Sequence, residues 1–292
     1  IRQGIKIVST VSLETLLRLA KAERPDGTGA VPDIFSLRRL DLFSYNEFLS
    51  FTHKPAGEQA VNEFLSRGAF PGLIKTGHTE ALHQLYTEIL CKDAVIAGGI
   101  RDRNTLQRMA LHLITNTGEP VTANKLREKL KIKAVSTAAE HMQCIETAGL
   151  VRFVSILSDN PARQAVNPRK VYAVDTALAA AVSTAETVDR NKLFETMLFN
   201  HLCRESRSVC YTNEQGGCDF IASDAEGGVR CIQACYDDDP DLMQTKTDGL
   251  LWALRQTGSS RGTIVTADRN DRIDAENFEI EVIDADTFLG GY

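Results

Sequence analysis

The sequence lacks a phosphate-binding loop. The pattern G-x-x-x-x-G-K-[ST] occurs nowhere in its 292 residues. In nucleotide hydrolases that loop supplies backbone N–H groups and a lysine to the phosphates. We therefore expect that this chain by itself does not hydrolyse nucleoside triphosphates.

Long apolar runs and paired cysteines are also missing. No apolar run approaches the roughly 20 residues that cross a bilayer, and no secretion signal opens the chain. The seven cysteines are irregularly spaced, without a C-x-x-C pair, and the histidines lack metal-ligand spacing. This pattern predicts free thiols in a reducing cytoplasm and no bound metal.

Charge is unevenly distributed along the chain. Residues 1–100 are balanced, residues 101–175 hold 12 basic and 7 acidic side chains, and residues 176–292 hold 10 basic and 21 acidic ones. The middle is therefore net +5 and the last part net −11. Such a contrast indicates separate modules with separate functions.

The pattern in the middle of the chain predicts three helices followed by a two-stranded hairpin. Thr122 is a good N-cap for the second helix and Ser136 for the third. The order is typical of a winged helix. The predicted elements are helices at 104–115, 123–130 and 137–148, and strands at 150–157 and 170–174.

The last third alternates helices with short apolar strands, which predicts one mixed sheet with helices packed on it. The predicted elements are helices at 191–204 and 242–256, and strands at 208–212, 218–223, 229–235, 262–266 and 278–283.

The order of the predicted parts along the chain resembles that of prokaryotic AAA+-type ATPases with a C-terminal domain of unknown function. In that family a P-loop core is followed by a winged helix and a domain similar to the PD-(D/E)XK nucleases. The resembling pieces are Lys6-Ile7-Val8-Ser9-Thr10, Leu40-Asp41-Leu42-Phe43-Ser44-Tyr45-Asn46-Glu47-Phe48-Leu49, Gly68-Ala69-Phe70-Pro71, Lys170-Val171-Tyr172-Ala173-Val174-Asp175, Phe194-Glu195 and Gly217-Cys218-Asp219-Phe220-Ile221.

The resemblance implies an α/β multidomain protein with three parts. Residues 1–100 would be a partial AAA+ core with its helical lid, and residues 101–184 the winged helix. Residues 185–292 would be a mixed-sheet, restriction-endonuclease-like domain.

The ATPase part departs from the family pattern. The P-loop and the acidic strand end that would hold magnesium are absent. By resemblance, Ser9 or Thr10 occupies the position that senses the γ-phosphate and would contact the nucleotide. We expect no cofactor on this chain alone, and ATP with Mg²⁺ only in a longer parent chain.

The nuclease-like part also departs from its pattern. Those enzymes use carboxylates to bind Mg²⁺ and a lysine to activate water or steady charge. Glu195 and Asp219 match two acidic positions, but the E-x-K position reads Gln233-Ala234-Cys235. We expect the two carboxylates to face each other, with no lysine nearby, and nuclease activity to be absent.

The winged helix carries the basic residues. A run on and after its second helix, and the wing strand, could contact phosphates. The presumed recognition helix has Glu140 and Glu146 and no Lys or Arg; only Gln143, with His141 a weaker candidate, suits base readout. The predicted nucleic-acid contacts are Lys125, Arg127, Lys129, Lys131, Lys133, Arg169 and Lys170.

Two functional hypotheses stay open. In one, the chain is the C-terminal portion of an AAA+-type ATP-binding protein that lost its P-loop by truncation and acts by binding a partner. In the other, it is a stand-alone winged-helix module without enzymatic activity. The partner is either nucleic acid, bound without sequence specificity, or protein; a membrane is not expected.

Overall fold

The chain folds into a mixed α/β structure with two sheets. A computed structural model describes residues 40–75, 79–96, 100, 102–158, 160, 164, 167–183, 189–214, 216–237, 239–275 and 277–291. Ser9 and Thr10 lie outside these residues.

The first described part of the chain is helical. They are α1 (Tyr45–Thr52), α2 (Glu58–Arg67), α3 (Pro71–Ile74) and α4 (Thr79–Glu88), and α4 continues as a π-helical stretch, Ile89–Ile96. A capping box starts α1, because the side chains of Ser44 and Glu47 each accept the other residue's backbone N–H.

The middle part contains three helices around a three-stranded antiparallel sheet. Its elements are α5 (Arg103–Thr115), β1 (Pro120–Val121), α6 (Ala123–Leu130), α7 (Val135–Thr147), β2 (Val151–Val154) and β3 (Arg169–Ala173). Strand β3 lies between β1 and β2. Thr122 caps α6 as predicted, by accepting the N–H of Lys125. The cap predicted at Ser136 is wrong, because α7 begins earlier and Ala134 occupies the N-cap position.

The last part contains one mixed sheet, as predicted, but with six strands instead of the five expected. After α8 (Thr176–Val182) and α9 (Arg190–Glu205) come β4 (Ser208–Thr212), β5 (Cys218–Ser223), β6 (Val229–Cys235), α10 (Pro240–Thr257), β7 (Arg261–Thr266), β8 (Asp271–Ala275), β9 (Phe278–Asp284) and α11 (Ala285–Gly290). The strand order is β4-β5-β6-β7-β9-β8, with β7 parallel to both β6 and β9. The sequence reading missed β1, α8, β8 and α11.

Helices cover both faces of the larger sheet. Phe220 and Ala222 of β5 belong to the core that contains α9, whereas the intervening Ile221 packs in a second core with Leu250 and Leu254 of α10. This alternation is the two-residue period of a strand buried on both faces.

The first core runs through almost the whole described chain, from Tyr45 to Leu289. The Tyr45 hydroxyl donates to Asp286 Oδ1 at 2.5 Å, and the Gly57 N–H donates to the same oxygen at 2.6 Å. Helix α11 is thereby held against α1 and α2. The domain boundaries at residues 100 and 184 stay predictions.

Helix α10 approaches the loop before β5 very closely at Gly249. A Cβ there would lie 2.0 Å from the Gly217 carbonyl oxygen and 3.0 Å from Gln233 Nε2. Only a residue without a side chain allows this packing, although glycine costs about 1 kcal/mol in a helix interior.

We predict that Gly249→Ala destabilises the protein by about 2 kcal/mol or more, because the backbone on both sides must move. The midpoint of thermal unfolding should fall by about 5 °C. Gly72→Ala is the matched control, since a Cβ at Gly72 meets no atom within 4 Å. An equal effect of both substitutions would show that the close approach is not the cause.

Candidate functional site

The two predicted carboxylates come together around a lysine. Lys170 Nζ lies 2.8 Å from Glu195 Oε1 and 3.2 Å from Asp219 Oδ1. The three residues come from β3, α9 and β5, so the contact joins the smaller sheet to the larger one. Glu195 is 5% and Asp219 6% exposed.

Two neighbours position Glu195. Tyr172, two residues after Lys170 on the same face of β3, donates its hydroxyl to Glu195 Oε1 at 2.6 Å. The Tyr172 ring stacks on Phe199 of α9, with centroids 4.3 Å apart. Lys192, one turn before Glu195, lies 3.6 Å from Glu195 Oε2 and 3.3 Å from Glu119 Oε1.

A second lysine, Lys246 of α10, reaches Asp219. Its Nζ lies 2.5 Å from Asp219 Oδ2, and the Ala234 N–H donates to the same oxygen at 3.0 Å. The expectation that no lysine lies near the carboxylates is therefore wrong. Lys246 reaches Asp219 because α10 packs against β5 and β6.

Gln233 has a structural role at the E-x-K position. The Asp219 N–H donates to Gln233 Oε1 at 3.0 Å. Gln233 Nε2 donates to the carbonyl oxygens of Gly217 at 2.7 Å and of Lys246 at 3.0 Å. Gln233 thus holds the loop, β5 and α10 together through one buried amide. Cys235 does not join this group: its thiol donates to the Asp237 carbonyl oxygen, and burial raises its pKa.

Electrostatics keep Asp219, Lys170 and Lys246 ionised. Burial alone would raise the pKa of Asp219, but Lys246 and Lys170 outweigh it and hold that pKa well below its ordinary value. Burial alone would likewise lower the pKa of Lys170 and of Lys246, but the facing carboxylates raise both. The pKa of Tyr172 is raised by burial and then by Glu195, so its hydroxyl stays a donor.

The network is compact and charge-compensated. Two buried carboxylates face two lysines whose side chains are largely covered, and the half-buried Lys192 adds a third cation. A divalent cation would have to displace a lysine and would meet the remaining ones. Within the described residues, no group of three or more His, Cys, Asp or Glu side chains is placed to hold a metal.

The predicted nucleic-acid contacts separate into two groups. Lys170 points into the buried network, and the Arg169 guanidinium lies over the Phe153 ring at 4.6 Å. Arg127 is half-buried and bonds to Asn124 and Glu128. The remaining residues are exposed on α6 and in the turn after it: Lys125, Lys129, Lys131 and Lys133.

Sequence reasoning missed Lys246 and Tyr172. A signal for Lys246 exists, because it lies four residues from both Leu242 and Leu250, on the helix face that packs against the sheet. A lysine at such a position needs a buried anionic partner. Tyr172 is marked only by its two-residue spacing from Lys170.

Comparison with known families gives one match. Residues 58–189 match the model of a domain of unknown function, DUF8612. This range is a little under half of the chain, is assigned to neither an AAA+ nor a nuclease family, and ends before Glu195. No curated protein and no solved structure matches the chain. Among the described residues, no helix has the length and apolar character needed to cross a membrane.

We predict that Gln233→Glu destabilises the protein by about 2 kcal/mol or more. A carboxylate cannot donate to the Gly217 and Lys246 carbonyl oxygens, so two buried acceptors would face a negative charge. Urea unfolding measures the change, with Gln59→Glu on the exposed start of α2 as control. A variant as stable as the unmodified protein would contradict the role assigned to Gln233.

We predict that Asp219→Asn lowers stability at pH 7 by about 3 kcal/mol, since two largely covered lysines, Lys170 and Lys246, lose their counter-charge. The difference should shrink as the pH falls below 4. The folded-state pKa of Asp219 is depressed below 3.8, so the unfolded chain takes up the proton first and the contribution of Asp219 is lost in acid.

Urea unfolding at pH 7, 5 and 3 tests this pH dependence. Asp268→Asn removes an exposed carboxylate and is the control. The difference in unfolding free energy between Asp219→Asn and the unmodified protein should shrink toward pH 3. If it stays constant or widens, Asp219 is not held ionised by its lysines.

Proposed function

We propose that this chain acts by binding a partner and cleaves nothing. It would be the C-terminal portion of an AAA+-type ATP-binding protein, with a winged helix and a nuclease-like domain whose site is degenerate. The nuclease-like part then serves as a structural support for the binding part.

One observation carries this proposal: the buried network around Lys170. Glu195 and Asp219 are each engaged by a lysine within hydrogen-bond distance, and the third acidic position is a glutamine that holds backbone groups. Mg²⁺ requires several oxygen ligands at near-octahedral geometry. Two carboxylates already neutralised by lysines make a poor site for it.

The order of elements supports the two fold assignments. The middle part has the three helices and the hairpin of a winged helix, in the order α5, β1, α6, α7, β2, β3. Strand β1 completes a three-stranded sheet. The following helix α9 and the strands β4 to β7, with Glu195 on the helix and Asp219 on a strand, agree with a nuclease-like arrangement. ATP and Mg²⁺ would enter only through a P-loop segment of a longer parent chain.

The alternative is a stand-alone binding module with no ATPase partner segment. The match of residues 58–189 to a domain of unknown function fits either case, because that range contains the middle part and only the first few residues of the nuclease-like part. Intact mass and N-terminal sequencing of the natural product would distinguish them by showing whether a P-loop segment precedes Ile1.

We expect no Mg²⁺- or Mn²⁺-dependent nicking of supercoiled DNA by the full chain. The reason is that the described residues contain no open set of carboxylates to hold the metal and activate water. Gel analysis of plasmid nicking measures it, with Asp219→Asn as the control, assayed at a temperature at which circular dichroism shows it folded. Metal-dependent nicking that co-elutes with the chain and is lost in Asp219→Asn would overturn the proposal.

A further inference from the structure

Four exposed lysines lie within nine residues of one another, on α6 and in the turn after it, in the middle part of the fold. Lys125 and Lys129 lie four residues apart on α6, and therefore on one face about 6 Å apart along the axis. Lys131 and Lys133 follow in the turn before α7. All four are exposed, and none forms an ion pair with a carboxylate among the residues that the structure describes. We call them the four-lysine surface.

This surface contrasts with the rest of the chain. The net charge of the whole protein is −6, and residues 176–292 alone carry −11. Lys170 and Lys246, in contrast, form ion pairs with buried carboxylates. Four uncompensated cations within nine residues are therefore a local concentration of positive potential on an acidic protein.

We propose that the four-lysine surface binds the phosphate backbone of nucleic acid, without reading its sequence. This inference rests on the proposed binding function and names its partner. Each lysine would place one ammonium against a phosphate oxygen and release a condensed counter-ion.

The composition of the surface favours phosphates over a protein partner. Protein interfaces are enriched in aromatic residues and depleted of lysine at their centre. Of the large apolar side chains exposed in the described part of the chain, only Val135 adjoins these lysines in sequence. An array of mobile point charges without an apolar centre suits a backbone of repeating charges.

Helix α7 does not supply base readout. His141, the weaker reader candidate, is 3% exposed, and burial lowers its pKa, so it lies in the core as a neutral ring. Glu140 is exposed and would repel a phosphate. Gln143 is the remaining exposed candidate, and its amide donates to Thr147. Contact through α6 and the turn therefore predicts affinity without sequence preference.

Fluorescence anisotropy with labelled 20-base-pair duplexes of two unrelated sequences tests the proposal on the full chain. Four phosphate contacts predict a slope of log K against log salt of about −3.6, and so a loss on the order of 100-fold between 50 and 200 mM salt. Changing all four lysines to glutamine should abolish this slope. Changing only Lys129 and Lys131 should lower its magnitude by about two.

The matched control is Lys75→Gln with Lys92→Gln, which removes two exposed charges elsewhere. This double variant should bind as the unmodified chain does. Equal weakening by both pairs, or binding that survives the four-lysine change, would overturn the proposal. So would a strong preference for one duplex, or no duplex binding at 50 mM salt together with pull-down of an acidic protein that depends on the four lysines.

The two proposals fail in different ways. If the anisotropy experiment refutes nucleic-acid binding, the plasmid-nicking assay should still be negative. Metal-dependent nicking would refute the non-catalytic function even if the four-lysine surface binds DNA. The lysines are exposed, so circular dichroism of the variants should match that of the unmodified protein.

Discussion

Lys170 lies between two buried carboxylates, and the arrangement of the larger sheet against the smaller one depends on that contact. Its ammonium group reaches Glu195 on α9 and Asp219 on β5 from a strand of the other sheet. Buried charges are tolerated only when they are paired and hydrogen-bonded. Tyr172, Lys246 and the Gln233 amide complete that pairing. Removing one member would leave an uncompensated charge in the interior, so the network fixes the position of three elements at once.

The lysines of this protein are of two kinds: those in the buried network and those exposed on its surface. Those facing inward neutralise carboxylates and stabilise the fold, whereas those of the four-lysine surface face solvent. A nuclease site needs the reverse arrangement around its carboxylates, with an open position for metal and water. The distribution of cations, more than the presence of Glu195 and Asp219, is thus the basis for proposing binding without cleavage.

Local elements could be predicted where neighbouring residues decide the structure. Thr122 caps α6 because its hydroxyl needs only the N–H of Lys125, and the strands from β4 to β6 have the bounds that their apolar runs indicate. The start of α7 could not be predicted in this way. Its first residues are placed by the packing of Ala138, Met142 and Ile145, and Ser136 stays exposed instead of capping the helix. The short β8 is mostly charged and becomes a strand only by pairing with β9.

The sequence by itself determined most helices and strands of the middle and last parts, the mixed α/β class, the two carboxylates and the positive run on α6, because these follow from periodicity, capping and charge over short stretches. Tertiary structure alone decided which charges meet. Lys246 lies 27 residues from Asp219, and Lys170 lies 49 residues from it. Their pairing requires α10 to pass against the Gly217 loop at Gly249 and β3 to face α9. Contacts between residues so far apart depend on how whole elements pack, which no local pattern of residue types encodes.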